Sequence, residues 1–411
     1  MSVLITGIKY LACIQPNGKL RLDGPSMERL RVLEDAWLLV ENGLIAAFGP
    51  KGTEPGGESV LDAEGGTVLP SFCDSHTHLV FAGSREREFV DKIAGKTYEQ
   101  IAENGGGILN SADRLRSISE DELYETSMKK IREVISKGTG AIEIKSGYGL
   151  STESEIKMLR VIRRIKANSP LLVRSTFLGA HAVAREYRGR QNDYVKMLCE
   201  EMLPAVANEG LADYIDVFCD KGFFTEQETE TLLEKGKQFG LRGKIHGDEL
   251  ASTGGTRVAI RMEALSVDHL ERISDEDIEL LRESEVMPTL LPGASFFLGM
   301  PYAPAKKIIS RGIGIALASD FNPGSSPSGD MKFILSLGCI KMKLTPTQAL
   351  NACTINGAYA MGVSGEVGSI TVGKRANLII TQPIPSIDYI PYAYTTPIIR
   401  YHLLNGVLVS D

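Results

Sequence analysis

The stretch Thr67-Val-Leu-Pro-Ser-Phe-Cys-Asp-Ser-His-Thr-His78 decides the fold class. An apolar run, Thr67–Cys73, reads as a β-strand and ends in an aspartate and a His-x-His pair. An open doubly wound sheet would normally follow its first strand with a glycine-rich phosphate loop. Here imidazoles and a carboxylate stand in that place. Seven more short apolar runs follow: Gly140–Lys145, Leu172–Gly179, Tyr214–Cys219, Gly243–Gly247, Leu265–His269, Val286–Leu291 and Ile313–Ser319. Helical stretches separate them, which implies parallel strands joined by helices. Eight such units in about 300 residues predict an α/β fold, a closed (β/α)₈ barrel of the TIM type.

Several helix starts are readable. Ser119 with Glu122, Thr152 with Glu155, and Thr225 with Glu228 have capping-box spacing, and Ser274 with Asp277 is similar. Thr345-Pro346 opens a helix beyond the last strand, with a cap and a proline in the first turn. Both chain ends read differently. Ala36–Phe48 is two strands around Asn42-Gly43, and Ile398–Val409 turns again at Asn405-Gly406. Gly368–Thr381 has the same alternating character. The ends are expected to pair into one small β-sandwich domain of residues 1–66 and 364–411, leaving 67–363 as the catalytic barrel. The glycines Gly105, Gly106 and Gly107 follow no clear strand and read as a flexible loop over the site.

Bulk properties narrow the function. The chain has 411 residues and a formal charge of −7 with no basic cluster, which argues against nucleic acid and anionic membranes as partners. MSVLITGIKYLACI at the N-terminus lacks a basic start and a cleavage site, so a strand is the better reading than a signal peptide. No apolar run approaches the roughly 18 residues of a membrane span. The six cysteines (Cys13, Cys73, Cys199, Cys219, Cys339, Cys353) are scattered, as in a reduced cytoplasmic protein.

Five of the six histidines, His76, His78, His181, His246 and His269, fall at or just past a strand's C-terminal end, and only His402 does not. Asp320 ends the eighth strand in the same way. In a barrel those ends meet at one mouth. Residues i and i+2 of an extended segment face the same side about 7 Å apart, so His76 and His78 can reach one ion. With His246 and Asp320 they form the expected ligand set of one divalent ion, Zn²⁺ in preference to Fe²⁺. The fourth strand ends Phe218-Cys219-Asp220 without a lysine suited to bridge a second ion, so one metal is expected. Glu249, three residues past His246, can face the pocket without being a ligand. His269 and His181 are expected around the metal or substrate, and His402 in a structural role.

Leu61-Asp-Ala-Glu-Gly-Gly-Thr-Val-Leu-Pro-Ser-Phe-Cys-Asp-Ser-His-Thr-His78 and Gly368-Ser-Ile-Thr-Val-Gly-Lys-Arg-Ala-Asn-Leu378 resemble motifs of the amidohydrolase superfamily. Ser71 stands where many members have glycine. Phe81-Ala-Gly-Ser-Arg-Glu-Arg-Glu-Phe89, Glu143-Ile-Lys-Ser-Gly-Tyr-Gly-Leu150, Thr176-Phe-Leu-Gly-Ala-His-Ala182 and Ser319-Asp-Phe-Asn-Pro-Gly-Ser325 resemble the imidazolonepropionase family in particular. That resemblance implies hydrolytic ring opening of 4-imidazolone-5-propanoate, a small molecule bearing a carboxylate, and a homodimer. It also implies substrate contacts at Arg85, Tyr98, Tyr148, His181, Glu249, Asn322, Gly324 and Ser325, with Arg85 gripping the carboxylate through a two-pronged bond. Asp320, Glu249 and His269 remain alternative proton carriers. A deaminase acting on a purine-like ring would share the metal set but would not need Arg85. A barrel retained only as a scaffold would be expected to lack ligands.

Overall fold

The computed structural model describes residues 2–96 and 107–409. The N-terminal segment supplies β1 (Ser2–Ala12), β2 (Val32–Glu41), β3 (Leu44–Pro50), β4 (Ser59–Asp62) and β5 (Thr67–Pro70). The barrel strands follow: β6 (Phe72–Asp74), β7 (Thr139–Lys145), β8 (Leu172–Ala180), β9 (Tyr214–Cys219), β10 (Arg242–Gly247), β11 (Ser266–His269), β12 (Met287–Leu290) and β13 (Ala316–Leu317). The C-terminal segment adds β14 (Leu378–Thr381), β15 (Ile399–Leu404) and β16 (Val407–Leu408).

The two chain ends share one sheet, ordered β16-β15-β14-β5-β1-β2-β3 with β4 beside β1. Its seam is β14 against β5, where Leu378 faces Pro70 and Ile380 faces Val68. Ile5, Ile8, Leu11, Leu38, Val68, Leu378, Ile380 and Leu403 form its buried core. Both Asn-Gly turns are real: φ is +51° and +80° at Asn42-Gly43, and +52° and +75° at Asn405-Gly406. Positive φ at both central residues suits the twist of a two-residue hairpin.

The run Thr67–Cys73 is not one strand. Thr67–Pro70 belongs to the composite sheet, and only Phe72–Asp74 pairs with β7. Pro70 has no N–H to donate to a ladder, so the chain can change partners there. Ser71 N–H then bonds Asn377 O, and Phe72 N–H bonds Gly138 O. Ser71 itself is accommodated because Gly140, opposite, has no Cβ; one added there would lie 2.4 Å from Ser71 Cβ.

The barrel sheet runs β6 to β13 in chain order, with each neighbouring pair parallel. The expected eighth strand Ile313–Ser319 forms a ladder only at Ala316–Leu317. Its first half is occupied elsewhere: Gly314 N–H bonds Asp23 Oδ1 at 3.2 Å, and Gly24 N–H bonds Ile313 O. The seam between first and last strands closes just beyond them. Asp320 N–H bonds His76 O at 3.0 Å and His78 N–H bonds Phe321 O at 2.9 Å. Barrel closure therefore sets Asp320 beside the His-x-His pair.

Most expected helix caps form. Ser119, Thr225, Ser274 and Thr345 each accept from the N–H three residues on. Thr152–Glu155 does not. Ser151 is the cap of Thr152–Asn168, and Glu155 turns to the strand-end loop described below.

Candidate metal and active centre

Four ligand-type atoms converge at the closed seam. His76 Nε2 lies 3.5 Å and His78 Nε2 3.7 Å from Asp320 Oδ1, and His246 Nε2 lies 3.3 Å from His78 Nε2. The strand ends carry the strain of this arrangement: φ is +53° at Asp320 and +84° at His269, left-handed values that non-glycine residues rarely adopt.

Each ring is aimed from behind. Asp268 Oδ2 accepts from His76 Nδ1 at 2.6 Å, and Asp216 Oδ2 lies 3.0 Å from His246 Nδ1. The carboxylate on His76 Nδ1 fixes the tautomer that leaves Nε2 as the donor atom, and Asp216 lies on the corresponding side of His246. Burial, with Lys145 and the neighbouring histidines, holds the His76 pKa well below the usual range; burial, His181 and His246 do the same for His78. Neutral imidazole is the form that binds a metal. His76 Nε2 is buried without a hydrogen-bond partner among the described residues, and two imidazole Nε2 atoms face each other. A cation shared by these atoms satisfies them all, so the donor set fits a divalent ion.

His269 offers a rival triad. Its atoms cluster with those of His76 and His246 within 4.8 Å, as do those of His76, His78 and Asp320. Its surroundings set it apart. His269 Nε2 lies 3.7 Å from Glu249 Oε2, and Nδ1 lies 3.5 Å from Glu271 Oε2. Burial opposes a charge there, but Glu249 and Glu271 outweigh it and raise the pKa to about 10. The two carboxylates flanking His269 favour its protonated form, whereas no such pair flanks His78 among the described residues. Burial pushes Glu249 up to about 7 against the pull of His269. Glu249 is also fixed by its own backbone: its N–H and that of Leu250 donate to Asp220 Oδ2 at 2.7 and 2.9 Å.

The remaining candidates line the same mouth. Tyr148 is buried, its ring 5.8 Å from His78 and 5.3 Å from His181 between centroids. Glu155 holds its loop by accepting from Gly147, Gly149 and Leu150 N–H at 2.7–2.9 Å. His181 Nδ1 donates to Gly147 O at 3.0 Å, and burial lowers its pKa to about 3. Its Nε2 is left as an acceptor. Arg85 begins the helix Glu86–Ile93, pairs with Glu88, and packs against Gly324, where an added Cβ would meet its guanidinium. Asn322 uses its side chain locally: Oδ1 accepts from Gly324 and Ser325 N–H, and Nδ2 donates to Asp320 O and Ser325 Oγ. Ser325 Oγ donates to Asp320 Oδ2 at 3.0 Å. Tyr98, Gly105 and Gly106 lie outside the described residues, and Gly107 caps the helix Ile108–Ser117. His402 is remote from the mouth: Nδ1 donates to Ile135 O and Nε2 accepts from Ser71 Oγ, both at 2.9 Å.

Asp216, Asp268 and Glu271 do not stand out in the sequence as site residues, and Asp220 and Glu155 stand there only as a strand end and a helix-cap partner. A signal existed for the first two, since an acid within an otherwise apolar barrel strand has to find a partner inside the barrel.

The residues 224–406 match the model of the amidohydrolase family. The chain is 51% identical to an imidazolonepropionase of Christiangramia forsetii and 49% identical to one of Flavobacterium psychrophilum, each over 411 residues and the whole of both chains. It is 39% identical to one of Thermoanaerobacter pseudethanolicus, covering 95% of this chain and 94% of that one. Among solved structures it is similar to an adenosine deaminase from Xanthomonas campestris with bound zinc (TM-score 0.70, 16% identity, 99% and 92% of the chains). A guanine deaminase from C. acetobutylicum is equally similar (TM-score 0.70, 16% identity, 100% of both chains). At that identity the two deaminases speak for the barrel fold alone.

Proposed function

Because the chain belongs to the imidazolonepropionase family of amidohydrolases, we propose a division of labour among its residues for the reaction that membership assigns. The protein is a hydrolase that opens 4-imidazolone-5-propanoate with water to N-formimidoyl-L-glutamate, in histidine degradation. It uses a divalent metal ion. His76, His78, His246 and Asp320 are the proposed ligands, and one ion is proposed, Zn²⁺ in preference to Fe²⁺, because a mixed nitrogen–oxygen set suits zinc. When bound, such an ion lowers the pKa of water towards about 7 and polarises a carbonyl.

The chain's own residues do the rest. Arg85 grips the substrate carboxylate. Tyr148, and by resemblance Tyr98, donate hydroxyls to the substrate. His181, neutral and with Nδ1–H already committed, accepts from a ring N–H through Nε2. That leaves His269, which holds its proton, to donate to the developing oxyanion. Glu249 titrates near neutrality and faces His269, which suits it to move the proton between water and the leaving nitrogen. Asp320 gives Oδ1 to the metal while Ser325 holds Oδ2. Asn322, Gly324 and Ser325 shape the loop against Arg85, with Gly324 and Ser325 nearest the product's polar end. All these residues fall in 67–363, the proposed catalytic barrel, and 1–66 with 364–411 form the proposed composite domain, whose sheet also takes in Thr67–Pro70. Six cysteines without a disulfide suit the cytoplasm proposed for the protein. A homodimer is proposed on family resemblance, for light scattering to test.

The observation that carries this reading is the meeting of His76, His78, His246 and Asp320 at the closed seam. The test is a ring-opening assay on 4-imidazolone-5-propanoate with the metal measured in the same sample. Turnover that follows metal content supports the reading, and full turnover in metal-free protein contradicts it. A deaminase would instead release ammonia from an aminated purine-like ring, and Arg85 beside the mouth favours the carboxylate substrate.

A further inference from the structure

Beneath the ligand atoms the barrel interior holds five fully buried charged side chains: Glu143 and Lys145 on β7, Asp216 on β9, Lys244 on β10 and Asp268 on β11. Barrel interiors are usually layers of branched apolar side chains, and buried charges are costly unless well paired. The contacts here are directional. Asp268 Oδ2 accepts from His76 Nδ1, and Asp216 Oδ1 accepts from the His246 backbone N–H at 3.2 Å while its Oδ2 lies 3.0 Å from His246 Nδ1. Lys145 Nζ donates to Asp216 Oδ2 at 2.8 Å and to Glu143 Oε1 at 2.6 Å, and lies 3.7 Å from Asp268 Oδ2. Lys244 is placed differently. It pairs with Glu143, donates to Ser75 O and Ala360 O, and reaches Asp268 only at 3.9 Å. Lys145 is therefore the cation within 4 Å of both carboxylates that hold ligand histidines.

We infer that Lys145 is a positioning residue for the metal centre: it pins Asp216 and Asp268, and through them turns Nε2 of His246 and His76 towards the ion. The inference rests on the four-ligand reading above. Without this cation Asp216 would lose its lysine partner, and Glu143 and Asp268 would share Lys244. Asp216 or Asp268 would then be free to turn away, and a ligand histidine would lose the acceptor that orients it. Loss of such a supporting partner typically weakens metal binding about 10- to 100-fold.

The test compares the metal-depleted wild-type chain with Lys145→Met, by zinc affinity in chelator competition and by the visible spectrum of the Co²⁺ form. The expected result is a folded variant whose zinc affinity falls about tenfold or more and whose Co²⁺ bands shift. Glu143→Gln, which touches no ligand histidine, should stay within about threefold of wild type by the same measure. If Lys145→Met does not fold, the charge-balanced pair Lys145→Met with Glu143→Gln is compared with Glu143→Gln alone, and the same loss is expected. Unchanged affinity and spectrum in a folded variant would overturn the inference while leaving the four ligands standing. A wild-type chain that binds no zinc tightly would remove the four-ligand reading, and this inference with it.

Discussion

Three features support the role proposed for Glu249 as a proton carrier: burial, a pKa pushed up to about 7, and His269 at 3.7 Å. Glu249→Gln should lower kcat by about two orders of magnitude or more with metal content unchanged; near-normal turnover would take it out of the proton transfer. Arg85→Ala should raise KM for the carboxylate-bearing substrate by about 10- to 100-fold, the range of a charge-assisted hydrogen bond, whereas an unchanged KM would remove the guanidinium from recognition. At this scale the meeting of the proposed ligands was readable, because His76-Thr-His78, His246 and Asp320 carry their types at strand ends. Their supports were harder to read. Asp268 is 192 residues from His76 in sequence, and only the barrel brings the two together.

Glu155 shows an element being built around the site. As part of a helix start it could have capped its own helix, but its carboxylate instead gathers three N–H groups of the Gly147–Leu150 loop that carries Tyr148. Glu155→Ala leaves those donors buried and unpaired, at about 1–3 kcal/mol each. The expected outcome in denaturant unfolding is a loss of more than about 2 kcal/mol, with a rise in KM as Tyr148 loses its seat. Unchanged stability would mean that the loop holds itself. Elements were legible where a local rule sets them, as at both Asn-Gly hairpins and the Thr225 cap. They were misread where tertiary partners decide. Thr67–Cys73 looks like one strand by pattern, yet Pro70 divides it between two sheets.

On the scale of the whole molecule, His402 joins the composite sheet to the barrel through Ser71 and Ile135 O. Burial lowers its folded pKa to about 4 from an ordinary 6.5. The unfolded chain therefore takes up a proton below about pH 6.5 that the folded chain refuses until about 4. This contribution is intact above that window and is lost as pH falls through it. His402→Gln should flatten the acid side of the stability–pH curve, and an unaltered slope would contradict the assignment. The barrel with a domain drawn from both ends was legible from eight alternating units and two matching β-rich termini. The closure of the seam was not, since it depends on Asp320 N–H meeting His76 O across the whole barrel. That closure underlies the central claim, one ion held by His76, His78, His246 and Asp320. Titrating metal-depleted protein with Zn²⁺ while following ring opening tests it most directly. Activity should rise linearly and break at one equivalent per chain; a break at two equivalents, or full activity before any zinc is added, would contradict it.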